Sequence, residues 1–169
     1  HPNVIRSPKS DLYCTWEVMG TPFDCESEET LQIGTNQLHG LIRSFEGPPV
    51  TFYVHNIREQ FTDSLHKESG NPYADKISEL YYASLKDAPF RRNRLFITVC
   101  FRPFVGLEKA ERKRMKDTEK LKELDGALQE MLEIKSTLDT AFSRYSARSL
   151  GTFTEGKAVY SSQLAFYEY

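Results

Sequence analysis

The stretch most typical of a buried β-strand runs Leu95-Phe96-Ile97-Thr98-Val99-Cys100-Phe101. Its odd-numbered residues are all large and apolar and share one face, while Phe96 and Cys100 lie on the opposite face. A strand that is apolar on both faces is usually covered on both sides, at the centre of its sheet. Pro103 ends the pattern, because proline cannot donate a hydrogen bond to a neighbouring strand. We therefore expect this strand to be central, with Leu95, Ile97, Val99 and Phe101 in the core.

Strand and helix patterns alternate before this stretch. The predicted elements are a strand at Leu12–Met19, a helix at Glu28–Phe45, a strand at Val50–Ile57 and a helix that begins at Asn71-Pro72. Ser27 and Asn71 are expected to cap the two helices, because their side chains accept hydrogen bonds from free backbone N–H groups. The apolar stripe of the first helix consists of Leu31, Leu38, Ile42 and Phe45.

After the central strand the chain is predicted to be helical and rich in charge, from about Leu107 to Tyr145, with a break near Gly126. Residues 149–161 are typical of a hairpin, and Ser162 is expected to begin another helix. Strands that alternate with helices predict an α/β (α+β) layered domain. We expect its sheet to be mixed, because the closing hairpin must be antiparallel.

Composition excludes several classes of protein. The chain has 169 residues and a mass of 19.5 kDa, with 39% apolar and 12% aromatic residues. That content favours a packed domain over a disordered chain. The net charge of −2 argues against a globally basic nucleic-acid binder, and no run approaches the ~20 apolar residues of a membrane span. Residues 1–10 lack the apolar core of a secretory signal and are predicted to be a loose arm.

The three cysteines, Cys14, Cys25 and Cys100, are sparse and odd in number, which favours a reducing, cytoplasmic compartment. We expect them to be small buried or half-buried side chains. A Cys14–Cys25 disulfide is the alternative, and nothing in the spacing supports it.

No catalytic, cofactor or metal site is predicted. The four histidines, at positions 1, 39, 55 and 66, lack the close spacing of metal ligands, and no nucleophile elbow of the form GxSxG occurs. The acidic cluster at positions 24, 26, 28 and 29 lies where the dipole of a helix N-terminus favours negative charge. That position accounts for the cluster without a chemical role.

Two basic groups form the candidate interaction surface. The first precedes the central strand, and the second recurs at helical spacing and so lines one stripe; together they are Arg91, Arg92, Arg94, Lys109, Arg112, Lys113, Lys116 and Lys120. Contact with phosphates or anionic head groups is the functional interpretation. The alternative is an ordinary solvated face, because Glu108, Glu111 and Glu119 are interleaved with the basic residues.

Residues Gly151 to Ala158 match the pattern GxxxxGK but have Ala158 where a phosphate loop needs a hydroxyl for magnesium. The preceding residues, 146–150, are too polar for a buried strand, and the following Val159-Tyr160-Ser161 favours strand over helix. We therefore predict a β-hairpin here, with Lys157 exposed to water.

Five segments in the same order resemble the CagE/TrbE/VirB family, the large ATPase of type IV secretion and conjugation machines. The strand segment Phe90–Pro103 is similar to the family's "RNxLYLTVVYRP" pattern in the N-terminal domain. The other segments are Gly20–Asp24 ("GxPFE"), Pro49–Arg58, Arg144-Tyr145 with Arg148–Gly151 ("RY…RRLG"), and Ser161–Phe166 ("SEPLEF"). Cys100 and the highly charged Leu107–Lys122 depart from the family pattern.

The resemblance implies that the whole chain, 1–169, is the N-terminal docking domain of a larger ATPase, with residues 149–169 beginning a further subdomain. It implies that ATP and magnesium bind only in a RecA-like C-terminal domain, so that no catalytic residue lies in this chain. It also implies a cytoplasmic protein at the periphery of the bacterial inner membrane. Its partners would be other secretion components, including a short inner-membrane subunit, together with further copies of the ATPase.

A stand-alone nucleic-acid-binding module that uses the two basic groups is the alternative function. Direct contact with nucleic acid is not expected under the family interpretation, so salt-dependent DNA binding distinguishes the two.

Overall fold

The central strand lies inside a sheet, as its two apolar faces predict. The computed structural model describes residues 1–20, 24, 26–47, 49–60, 69–85, 90–106 and 114–168. The strands in these ranges are β1 (Ile5–Arg6), β2 (Leu12–Val18), β3 (Val50–Gln60), β4 (Arg91–Phe101), β5 (Ala147–Ser149), β6 (Thr152–Glu155) and β7 (Ala158–Ser161). The helices are α1 (Glu28–Ser44), α2 (Pro72–Leu85), α3 (Asp117–Phe142) and α4 (Ser162–Tyr167), with a 3-10 turn at Ser143–Tyr145.

The main sheet has the strand order β1-β2-β4-β3, so β4 is central. All of β2 pairs antiparallel with Leu95–Phe101 of β4, with Thr15 opposite Thr98 and Cys14 opposite Val99. The outer edge of β2 is shared, since β1 pairs with its start and β5 with its end.

The α/β fold class is confirmed, but the expected mixed sheet is corrected to antiparallel pairing. β1, β4 and β5 each run antiparallel to β2, and the hairpin β6–β7 forms a separate antiparallel sheet of two strands. Because the hairpin is not part of the main sheet, its antiparallel pairing does not indicate the direction of the strands there.

The chain divides into two compact units, residues 1–55 with 95–169 and residues 56–94. The second unit contains α2, which is capped as predicted, since the Tyr73 backbone N–H donates to Asn71 Oδ1 at 3.0 Å. One face of α2 is apolar and uncovered. Its large members are between 59% and 83% exposed, namely Tyr73, Ile77, Leu80 and Tyr81.

The core of the first unit lies between one face of the main sheet and α3. The sheet contributes Leu12, Cys14, Trp16, Val99 and Phe101, and α3 contributes Ala127, Met131, Ile134, Leu138 and Phe142. The α3 residues recur every three or four positions and so form one stripe. Val99 and Phe101 are buried as predicted, while Leu95 and Ile97 are only half-buried.

α3 begins at Asp117 and continues through Gly126 without the predicted break. Gly126 directly precedes Ala127, where the buried stripe starts. Packing against the sheet stabilises the helix there, because tertiary contacts outweigh the weak helix propensity of one glycine. The predicted beginning of this helix, residues 107–113, lies outside the described residues.

The first ten residues differ from the predicted loose arm. Ile5 and Arg6 pair with Tyr13 and Leu12, and the Asn3 side chain donates to the Leu150 carbonyl at 3.0 Å. The exposed edge of β2 offers backbone hydrogen bonds to this segment, and a strand of two residues is too short to leave a periodic signal.

α1 is capped as predicted, because Ser27 Oγ accepts from the Thr30 backbone N–H. Most of its apolar stripe is exposed to solvent. Leu31, Leu38 and Ile42 are 44%, 36% and 47% exposed, and α1 contacts the core instead through Leu41 and Phe45. Periodicity identifies residues that share a face, but not what covers that face.

We expect Val99→Asp to unfold the domain. Val99 is 0% exposed, and an unpaired carboxylate at a buried site costs several kcal/mol, which is comparable with the whole stability of a small domain. Val54→Asp is the matched control, because Val54 is 69% exposed on β3 and a surface change there costs about 1 kcal/mol or less. Thermal melts followed by circular dichroism compare the two variants. A Val99→Asp midpoint close to that of the wild type would contradict the central position of β4.

Candidate functional site

The first basic group lies at the start of β4, next to an acidic residue of β3. Arg92 Nε donates to Glu59 Oε1 at 2.5 Å, and Arg94 Nη1 lies 3.7 Å from Glu59 Oε2. Glu59 is well enclosed, with its side chain 16% exposed. Arg91 is exposed and has no ion-pair partner among the described residues. A phosphate at this site would compete with the Glu59 carboxylate for Arg92 and Arg94, which weakens the interpretation as a phosphate-binding patch.

The second basic group is placed only in part, because Lys109, Arg112 and Lys113 lie outside the described residues. Lys116 precedes α3, and its backbone N–H donates to Glu119 Oε2 at 3.1 Å. Lys120 Nζ lies 3.4 Å from Asp117 Oδ1. Both contacts are local to the first turn of α3, where acidic residues favour the helix dipole. The placed part of this group is therefore interleaved with acidic residues, as the solvated-face alternative predicts.

The structure does not join the two basic groups within one unit. Arg91, Arg92 and Arg94 belong to the unit formed by residues 56–94, and Lys116 and Lys120 belong to the other unit. The described members of each group are partly neutralised by nearby carboxylates.

The segment that resembles a phosphate loop is a hairpin, as predicted. β6 and β7 pair antiparallel with Glu155 opposite Ala158, so Gly156 and Lys157 form the turn. Gly156 has φ +63°, a conformation that glycine adopts without strain. Lys157 is exposed. A phosphate loop instead passes from a buried strand into a helix whose N–H groups face the phosphates.

The family-like segment Ser161–Phe166 attaches α4 to the second face of the main sheet. Gln163 is 0% exposed, and its Nε2 donates to the Tyr13 carbonyl at 3.1 Å. Thr15 Oγ1 lies 3.0 Å from Thr98 Oγ1 and 3.2 Å from the Tyr167 hydroxyl. Sequence reasoning missed this buried polar layer. The threonines at the middle of β2 and β4 are the only local signal of it.

A groove of about 420 Å³ lies between α1 and the 3-10 turn. Its lining is mostly apolar and comes from both elements, namely Glu26, Thr30, Leu31, Gly34, Thr35, Leu38, Arg144 and Tyr145. The exposed stripe of α1 thus forms one wall, and the family-like pair Arg144-Tyr145 forms the other. Sequence reasoning missed this groove, because its two walls are far apart in the chain.

Burial raises the pKa of three side chains in β2 and β4, namely Tyr13, Cys14 and Cys100. The pKa of the Cys14 thiol rises from 9.0 to about 12, because burial disfavours the thiolate. The pKa of Tyr13 rises from 10.0 to about 12, also through burial and then through its contact with Cys100. Burial raises the pKa of Cys100 as well. These thiols are therefore poor nucleophiles.

Cys14 and Cys100 are both free, so Cys14 forms no disulfide with Cys25, which lies outside the described residues. Within the described ranges, no three His, Cys, Asp or Glu side chains converge as a metal site requires. In the same ranges, no helix is long and apolar enough to cross a bilayer.

The comparisons with known proteins point to one family. Residues 3–108 match the family model described as type IV secretion system ATPase VirB4/TrbE, N-terminal domain. The type IV secretion system protein virB4 of Brucella abortus biovar 1 (strain 9-941) is 28% identical over 184 residues, which cover 99% of this chain and 21% of the relative. The virB4 protein of Bartonella henselae is 24% identical over 176 residues, which cover 97% of this chain and 22% of the relative. The chain thus spans about a fifth of the length of these relatives.

We expect the stability of the domain to fall as the pH rises above about 9. The pKa of the Cys14 thiol is higher in the folded protein than in the unfolded chain, so the unfolded chain loses its thiol proton at a lower pH. The stabilisation that comes from protonated, buried Cys14 is therefore complete below about pH 9 and is lost as the pH rises to about 12. Urea unfolding at a series of pH values should therefore give a less steep alkaline decline for Cys14→Ala. Val99→Ala is the matched control, because it truncates the buried residue opposite Cys14 without removing a titrating group. A decline as steep in Cys14→Ala as in Val99→Ala would contradict this account.

Proposed function

Because the chain belongs to the VirB4/TrbE family of type IV secretion ATPases and matches its N-terminal domain, we propose that it docks the ATPase onto the membrane part of the secretion machine. The match over residues 3–108 is the observation on which the proposal rests. Docking to other components and self-association are the roles that the family resemblance implies for this domain.

The uncovered apolar face of α2 supports a docking role. Tyr73 and Ile77 are 83% and 69% exposed, and Leu80 and Tyr81 continue the same face. Large apolar side chains that cluster on one exposed face usually mark a surface for another protein. The short inner-membrane subunit is the partner that we propose for this face, since an apolar surface fits an apolar partner.

The proposed location follows from the same partner. We place the protein in the cytoplasm, at the periphery of the bacterial inner membrane. Arg91 and Lys116 are available in this arrangement for weak contacts with anionic head groups, of about 1 kcal/mol for each charge near the surface. These contacts would assist docking and would not anchor the domain alone.

ATP hydrolysis would take place in a different part of the ATPase. ATP and magnesium would bind in the C-terminal domain of the family, and this chain would hold neither. Under this proposal the chain is not an enzyme by itself.

The alternative, a nucleic-acid-binding module, has weaker support. The net charge is −2, and Glu59 already pairs with Arg92 and Arg94. Nucleic acid is held chiefly by cationic side chains that neutralise phosphates, and two of the three arginines here are compensated within the protein.

Co-purification with the short inner-membrane subunit tests the proposed function. We expect Ile77→Asp to lower the amount of bound subunit about tenfold or more. Binding would remove the new carboxylate from water without giving it a partner, which costs free energy. Val159→Asp is the matched control, because Val159 is equally exposed, at 69%, but lies on the hairpin. Equal retention by both variants would contradict docking through α2. Retention of DNA alone, with a steep dependence on salt, would favour the nucleic-acid alternative.

We expect Lys157→Ala to leave ATP turnover within about twofold in a full-length ATPase that contains this chain, because substitutions of exposed residues usually have small effects. The control is substitution of the phosphate-loop lysine of the C-terminal domain, which should abolish turnover. Steady-state phosphate release measures both. A loss of about a hundredfold in Lys157→Ala, with the fold intact, would make the hairpin a nucleotide site.

A further inference from the structure

The groove between α1 and the 3-10 turn is lined by one carboxylate and one guanidinium, from Glu26 and Arg144. Glu26 and Arg144 line the same groove but form no ion pair with each other or with any other described residue. The guanidinium carbon of Arg144 lies 5.7 Å from the centroid of the Tyr145 ring. The Tyr145 hydroxyl also makes no hydrogen bond to the described part of the chain.

The apolar side chains of the groove are also partly exposed to solvent. Leu31 and Leu38 lie one above the other on α1 and are 44% and 36% exposed. Gly34 lies between them and leaves a notch, since a Cβ added there would meet only the Tyr145 hydroxyl, at 3.9 Å. An apolar notch with a charged group of each sign is the composition of a specific interface, with an apolar centre and a polar rim.

We infer that this groove is a two-fold interface with a second copy of the same chain. In a symmetric pair the same patch is used twice, so that residue i of one copy contacts residue j of the other and the reverse. A groove with one acidic and one basic group is self-complementary in this arrangement. Glu26 of each copy pairs with Arg144 of the other, and the exposed Leu31 and Leu38 of the two copies lie between these pairs.

A partner with charges of one sign fits less well. An acidic segment would pair with Arg144 but would be repelled by Glu26, and a basic segment would have the opposite conflict. The second copy satisfies both groups at once, which is why charge complementarity selects it. This inference rests on the self-association in the proposed function and names the surface responsible for it.

Charge reversal tests the pairing directly. Glu26→Arg and Arg144→Glu are each expected to weaken self-association of the 169-residue chain about tenfold or more, because each creates a repulsive contact twice in the symmetric pair. A mixture of the two variants restores both ion pairs and should associate as heterodimers. The double variant Glu26→Arg/Arg144→Glu should form homodimers again. Analytical ultracentrifugation over a wide concentration range measures all four.

A substitution in α1 tests the apolar contact without changing charge. Gly34→Leu fills the notch and should abolish association, while the higher helix propensity of leucine raises the melting temperature. Gly40→Leu is the matched control, because Gly40 lies on the same helix, does not line the groove and has open space around it. It should raise the melting temperature and leave association unchanged.

Several results would overturn the inference. A wild-type chain that stays monomeric at every concentration would do so, and so would association that tolerates Gly34→Leu or either charge reversal. If the variants lose self-association but still co-purify with the inner-membrane subunit, the groove and the α2 face are separate. If the groove variants associate normally and Ile77→Asp loses the subunit, the inference fails and the proposed docking stands.

Discussion

A single hydrogen bond sets how the long helix lies on the sheet. Trp16 is 1% exposed, so its indole N–H requires a partner inside the protein. That partner is Asp139, whose Oδ1 lies 2.7 Å from Trp16 Nε1, while its Oδ2 accepts from Lys135 Nζ. The contact fixes the rotation of α3, and that rotation directs Met131 and Leu138 into the core. The ring of Phe142 then packs edge-on against Trp16, with centroids 5.7 Å apart.

On the opposite face of the main sheet, hydrogen bonds as well as apolar contacts hold α4 in place. Thr15 and Thr98 bond across β2 and β4, and Gln163 extends from α4 into the same layer. Buried polar groups of this kind permit few alternative arrangements, because each broken bond leaves a desolvated donor or acceptor. The segment that resembles the family motif near the end of the chain therefore has a structural role, in which Ser161 caps α4 and Phe166 packs against Phe96.

Local features were predictable from the sequence, and long-range ones were not. The alternation in Leu95–Phe101, the caps at Ser27 and Asn71 and the turn at Gly156 depend on neighbouring residues, so the sequence predicts them directly. The pairing of Glu59 with Arg92, the two strand residues at Ile5–Arg6 and the groove between Glu26 and Arg144 depend on contacts between distant segments. The exposure of Leu31 and Leu38 also depends on what the fold leaves uncovered. Sequence reasoning therefore identified the core strand and missed the surfaces.

The division between covered and uncovered apolar residues connects the fold to the proposed function. The core between the sheet and α3 includes none of the residues that make the exposed faces of α1 and α2 apolar. Leu31 and Leu38 in one unit and Ile77 and Leu80 in the other are therefore not needed to bury the Trp16 core. Exposed apolar clusters favour aggregation unless a partner covers them. A domain that keeps one such face in each of its two units is suited to binding two partners, and the proposed docking and self-association would each use one of these faces.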